Sequence, residues 1–155
     1  MKFFPFPLKG LTELLTATLC LVTVDARSCL AESNKVQYEL QARCGNQARD
    51  IYAKDWNSNE IANTKDGQIV TSFENHYNLT LNKCFYLFTA TSYITKGAQP
   101  SSNLSLILLD VNDNSEIGEF YQSQNQDKPS WCYVSDTTCH SKGEWQSLIK
   151  PYMER

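Results

Sequence analysis

The chain has 155 residues, 41% of them hydrophobic and 12% aromatic, which is enough for one domain with a proper core and too much for a disordered chain. Its 14 basic and 17 acidic residues are scattered and sum to a net charge of -3, so no basic block exists to track phosphates and nucleic acid is excluded as an expected partner. A pI of about 5.4 is what an ordinary solvated surface produces and carries no information about substrate charge.

The N-terminus reads as a signal peptide over residues 1–26. Lys2 and Lys9 precede an apolar run from Leu11 to Val24, and Val24-Asp25-Ala26 places small residues where a signal peptidase examines them, so cleavage is expected after Ala26. An uncleaved anchor is the competing reading, but the run falls short of the roughly 20 apolar residues a bilayer span needs. Lipid attachment at Cys29 is disfavoured by Arg27 just before it. No span is expected after cleavage, and the protein is expected in the periplasm or secreted. Export matters for the cysteines. Cys20 leaves with the leader, and Cys29, Cys44, Cys84, Cys132 and Cys139 remain for an oxidising compartment, one more than pairs can use.

Residues 27–34 are expected as a flexible N-terminal segment, with a single domain over 35–155. A helix is predicted over 35–56, capped by Asn34 and striped by Leu40, Cys44, Ala48, Ile51 and Tyr52 at helical spacing. Cys44 then faces the core. Gly45 beside it costs about 1 kcal/mol relative to alanine, which makes sense where another backbone comes close. That neighbour is expected to be the strand carrying Cys84, with a Cys44–Cys84 disulfide between them; two buried free thiols are the alternative, since spacing does not set pairing.

A polar loop over 57–67 precedes a strand with one wet face, in which Ile69, Thr71, Phe73 and Tyr77 alternate with Gln68, Ser72, Glu74 and His76. A turn near Asn78 leads to the central strand, where Phe85 and Leu87 point one way and Cys84, Tyr86 and Phe88 the other, the pattern of a strand covered on both sides. It fades by Ser92 or Ile94 into a flexible connection over 96–103. Leu104 to Val111 and Glu116 to Tyr121 flank an Asn112-Asp113-Asn114-Ser115 turn as a hairpin. Trp131 to Val134 is the last short strand, and Cys132 and Cys139 close a small disulfide loop around Ser135-Asp136-Thr137-Thr138. Ser141 and Glu144 form a capping box for a final helix with Trp145, Leu148, Ile149 and Tyr152 on its stripe, ending at Pro151. The expected class is α+β, an N-terminal and a C-terminal helix packed with a four- to five-stranded antiparallel sheet.

His76-Tyr77-Asn78, Leu81-Asn82-Lys83-Cys84-Phe85, Asp110-Val111-Asn112, Trp131-Cys132 followed by Cys139, and the terminal Lys150-Pro151-Tyr152-Met153-Glu154 together resemble small exported bacterial proteins of unknown function. The resemblance implies an exported bacterial protein and carries no activity.

Catalytic chemistry finds little support. A thiol nucleophile needs a histidine beside it, and His76 and Cys84 on one straight strand would stand roughly 26 Å apart at about 3.3 Å per residue. Cys132, Cys139 and His140 fit no usual zinc spacing. Asp110-Val111-Asn112-Asp113-Asn114-Ser115-Glu116 begins like a calcium loop but has Ser115 and Tyr121 where glycine and glutamate are required, so a hairpin turn is expected instead. Asn78-Leu79-Thr80 and Asn103-Leu104-Ser105 match the glycosylation acceptor, which a bacterial source would leave idle. No catalytic residue, metal or cofactor is expected.

One polar cluster sits in apolar surroundings: His76, Asn78, Asn82 and Lys83. Its plain reading is a supported turn with a solvated lysine. Its functional reading is a recognition surface for a peptide, glycan or partner protein, made of His76, Tyr77, Asn82, Lys83 and Trp131, with Tyr133 adding aromatic area. The expected function is a disulfide-stabilised binding or interaction module without catalytic activity. The alternative is a small secreted hydrolase using Asp110, Glu116 and Glu119 for acid–base chemistry.

Overall fold

The computed structural model describes residues 26–56, 60–96 and 99–154, with side chains from Asn34 onward. The expected leader lies outside them up to residue 25. The chain divides into two units, Met1–Asn34 and Lys35–Arg155. The sheet, both disulfides and the last helix belong to the second.

The elements run α1 (Ala26–Trp56), β1 (Ile61–Asn63), β2 (Gly67–Asn78), β3 (Lys83–Ile94), β4 (Ser101–Asp110), β5 (Ser115–Ser123), β6 (Trp131–Val134), β7 (Thr137–Thr138) and α2 (Lys142–Met153). The class is α+β, and the sheet is an antiparallel meander with its seven strands in sequence order. Four to five strands were too few. The additional two, β1 and β7, have three and two residues, too short for any alternation to show. Helix α1 also starts at Ala26 rather than Lys35, so residues 27–34, expected as flexible, are helical backbone. No glycine or proline stands between Ala26 and Asn34 to stop the helix. Residues 101–103, expected in a connection, are the start of β4.

Register decides what each face carries, because opposed residues in an antiparallel sheet point the same way. Phe73 opposes Phe88, Asn75 opposes Tyr86 and Tyr77 opposes Cys84. This face meets α1. Tyr52 packs on Phe73, Trp56 stacks on Phe88, and the Tyr52 hydroxyl lies 2.7 Å from Thr71 Oγ1. Cys44 is joined to Cys84 with Cα atoms 5.4 Å apart. The other face carries Phe85, Leu87, Leu106, Leu108 and Phe120 against Trp145 and Ile149 of α2. Each such buried side chain contributes about 1.5–3 kcal/mol. Both faces of β3 are therefore covered by helices, which is why both of its alternating sets are apolar.

The glycine at position 45 has a different neighbour from the expected one. A Cβ there would lie 3.5 Å from the Asn75 amide of β2, ordinary contact with a side chain and no close backbone. Gly67 and Gly118 are the glycines the packing requires: a Cβ would come 1.8 Å from the Tyr93 carbonyl at the first and 2.6 Å from the Tyr133 carbonyl at the second, so only glycine lets β2 approach β3 and β5 approach β6 there. Beside Gly118 the β4–β5 register shifts between Leu108 and Leu109, leaving Ile117 as an extra residue packed with the α2-side core.

Pro151 lies inside α2 rather than ending it. A proline so near the end forfeits a single backbone hydrogen bond. Asn78 then takes over the termination: its amide nitrogen donates to the carbonyls of Pro151 at 2.9 Å and Tyr152 at 3.3 Å. At the other end Ser141 accepts from the Glu144 N–H at 3.1 Å, and the Glu144 carboxylate accepts from the His140 N–H at 2.7 Å.

Candidate functional site

The residues expected to form one recognition surface are divided by the structure into two places. Tyr77 is buried and its hydroxyl donates to Asn82 Oδ1 at 2.5 Å. Asn82 has φ 54°, the left-handed turn conformation that asparagine tolerates, and the Leu81 N–H donates to Asn78 Oδ1 at 2.9 Å. His76 is half-buried and shares the α2 side of the sheet with Phe85. These three residues stand at the β2–β3 hairpin end, where Asn78 and Asn82 shape the turn.

Lys83 is committed elsewhere. Its ammonium donates to Asp110 Oδ2 and to Asp113 Oδ2, each at 2.5 Å. Both carboxylates hold the lysine well above the usual range, with the Asp110 hydrogen bond the larger cause. Asp110 is 1% exposed, and its second oxygen accepts from the Asn112 and Asp113 N–H groups. Asn112 in turn accepts from the Cys84 N–H at 2.8 Å. Hence the turn that begins like a calcium loop is a hairpin turn whose carboxylates are bridged by a lysine, tying the β2–β3 and β4–β5 hairpins together. Among the described residues no group of three or more His, Cys, Asp and Glu is placed to hold a metal.

Trp131 stands apart from all of these. It opposes Tyr121, which opposes Ser105, then Ala90, then Thr71. That row lies six positions along β2 from Tyr77 and four strands across, roughly 20 Å in each direction.

A different group surrounds Trp131. In the adjacent row Glu119 opposes Tyr133. Glu119, Tyr121, Trp131 and Tyr133 share the α1 side of the sheet, yet α1 packs on residues of β2, β3 and β4 and the segment just after β4. Among the described residues the β5–β6 part of this face is therefore left open. Trp131 is 61% exposed, Tyr121, Tyr133 and Glu119 are half-buried, and Glu116 is exposed. The Tyr133 hydroxyl donates to Glu116 Oε1, which pushes the phenol up to about 12. Burial and then the Glu116 charge raise the Glu119 carboxyl. Trp131 and Tyr133 also line a cavity of ≈ 500 Å³ with Asp136 and His140 at the β6–β7 edge.

Both sulfurs beside His140 are consumed: Cys132 and Cys139 are joined, with Cα atoms 5.0 Å apart. The expected pairing scheme thus holds for all four cysteines, and thiol or zinc chemistry at Cys132 and Cys139 has no free sulfur to use. Sequence reading missed Tyr121 and the grouping of Glu116 and Glu119 with Trp131. Alternation puts Glu119 with Tyr121 in β5 and Trp131 with Tyr133 in β6, but Glu116 reaches the same face only through the extra residue at Ile117, and only the register between strands joins β5 to β6.

Compared with known proteins, the chain matches no family model, no curated protein and no solved structure. Among the described residues no helix is long and apolar enough to cross a membrane.

Proposed function

We propose that the protein is an exported bacterial binding or interaction module, stabilised by two disulfides, that recognises a partner through the open β5–β6 face. The observation that carries this reading is an aromatic group, Tyr121, Trp131 and Tyr133, on a sheet face that no helix among the described residues covers, with Trp131 61% exposed. Exposed aromatic clusters of this kind are typical of binding surfaces, where tryptophan and tyrosine supply rigid area at little entropic cost. The two cross-links support export, since disulfides persist in oxidising compartments.

Export is tested by intact mass of protein purified from its exporting host, alkylated before and after reduction. A chain beginning at Arg27 with two disulfides and one alkylated thiol, Cys29, is expected; a full-length chain with free thiols overturns it. Binding is tested with peptide and glycan arrays, comparing the native chain with Trp131→Ala. Signals that vanish in the variant support the reading, and an array blank for both rejects it.

A second reading, a carboxylate hydrolase, is favoured by one observation. Burial, and then the neighbouring Glu116 charge, hold the Glu119 carboxyl above its ordinary range, as a general acid requires. Asp110 is unsuited to it, because its oxygens are occupied by Lys83 and the turn. Hydrolysis of any glycoside or ester substrate that is lost in Glu119→Gln would support this reading over the first.

A further inference from the structure

The open face has a charge pattern as well as a shape. Glu119 and Tyr133 are opposed in one row and Tyr121 and Trp131 in the next, with Glu116 held against the Tyr133 hydroxyl. Among the described residues, no lysine or arginine forms an ion pair with Glu116 or Glu119. A partner that covered this surface would take both carboxylates out of water. A neutral partner would leave them buried without a counter-charge and an acidic one would be repelled, both costly. Aromatic rings present their negative faces to whatever lies over them, so Trp131 favours a cation as well.

Spacing narrows the partner further. Glu119 and Tyr121 alternate along β5, as do Tyr133 and Trp131 along β6, so the two rows lie about 7 Å apart. Alternate side chains of an extended peptide have this same separation. We infer that the β5–β6 face binds an extended peptide segment carrying arginine or lysine at alternate positions, one cation in the Glu119–Tyr133 row, where Glu116 leans in through the Tyr133 hydroxyl, and the next over the Trp131 ring. This rests on the binding-module reading and names its partner.

The test uses the disulfide-intact chain as purified from its host. Four probes are titrated by calorimetry and by amide NMR, with the Trp131 indole signal assigned from Trp131→Phe: acetyl-Arg-Ser-Arg-Ser-Arg-amide, its glutamate counterpart, spermine and cellohexaose. The arginine peptide is expected to bind and shift that signal. Glu116→Gln with Glu119→Gln is expected to weaken it about tenfold or more, and added salt to weaken it further. Equal binding of the glutamate peptide, or unchanged affinity in the double variant, overturns the inference. Spermine binding as tightly as the peptide overturns it in favour of a free polyamine. If cellohexaose alone shifts the Trp131 signal, the cation inference fails while the binding-module reading stands. If no probe shifts it, both fail.

Discussion

Lys83 and Glu119 are both charged residues of the sheet, and their surroundings give them opposite consequences. Lys83 joins Asp110, 1% exposed, to Asp113, so removing the ammonium leaves a buried carboxylate without its counter-ion. Lys83→Met is therefore expected to lower the urea midpoint more than Lys83→Met combined with Asp110→Asn does, although the double variant changes more. Equal or greater loss in the double variant would show that the charge pair does not couple. Lys83 also holds the Asp113 carboxyl below its ordinary 3.8, so the stabilisation this contributes is present above that value and is lost as pH falls through the lower folded one. Glu119 runs the other way. Its folded carboxyl is raised above the ordinary 4.5 by burial and by Glu116, so folding favours the protonated form, and stability is lost as pH rises through the folded value. Glu119→Gln is expected to stabilise the chain at neutral pH, with the advantage disappearing below 4.5. Urea unfolding across that range checks the sign.

At the scale of elements, a residue of one hairpin ends a helix distant in sequence. Asn78 closes β2, shapes the turn through Leu81, and donates to the carbonyls that Pro151 and Tyr152 leave without helical partners. Asn78 is 4% exposed, and Asn78→Ala removes its hydrogen bonds to these carbonyls and is expected to cost about 0.5–1.5 kcal/mol. Amide exchange should then accelerate in the last turn of α2 and at Leu81, and not at its Ser141-capped start. Uniform acceleration along α2 would mean that the helix is held chiefly by its Trp145 and Ile149 packing. The same logic explains why a proline inside the helix is tolerated: the end is fixed from outside by the sheet.

For the whole molecule, the two cross-links differ in what they constrain. Cys44–Cys84 closes a separation of 40 residues and pins α1 to the sheet, whereas Cys132–Cys139 closes 7 within one hairpin. Loop-closure entropy gives about 4 kcal/mol for the first and about 2.5 kcal/mol for the second. Paired alanine substitutions at Cys44 and Cys84 should therefore destabilise the chain about one and a half times as much as those at Cys132 and Cys139, by urea or thermal unfolding. A larger loss from the short loop would point to an unfolded state already compact around the first pair.

Local patterning determined much of this molecule. Period-two alternation marks β2, apolar runs bounded by turn residues mark the other four longer strands, helical spacing marks α1 and α2, and Ser141 with Glu144 marks a cap, because each signal lies within a few residues of what it specifies. The cysteine pairs followed from where that patterning placed Cys44, Cys84, Cys132 and Cys139. Other features lie beyond the reach of local pattern. β1 and β7 are too short to alternate, and Pro151 continues a helix because Asn78, more than 70 positions earlier, receives its end. Lys83 meets Asp110 across 27 positions, which turned an expected surface lysine into a bridge between hairpins. The β5–β6 face is likewise a product of register: Tyr121, Trp131, Glu119 and Tyr133 become neighbours only when two strands pair in one alignment, and among the described residues they stay uncovered because α1 packs over β2 to β4. Sequence specifies which way a side chain points within its own strand; pairing and layering decide what stands beside it and whether anything lies on top.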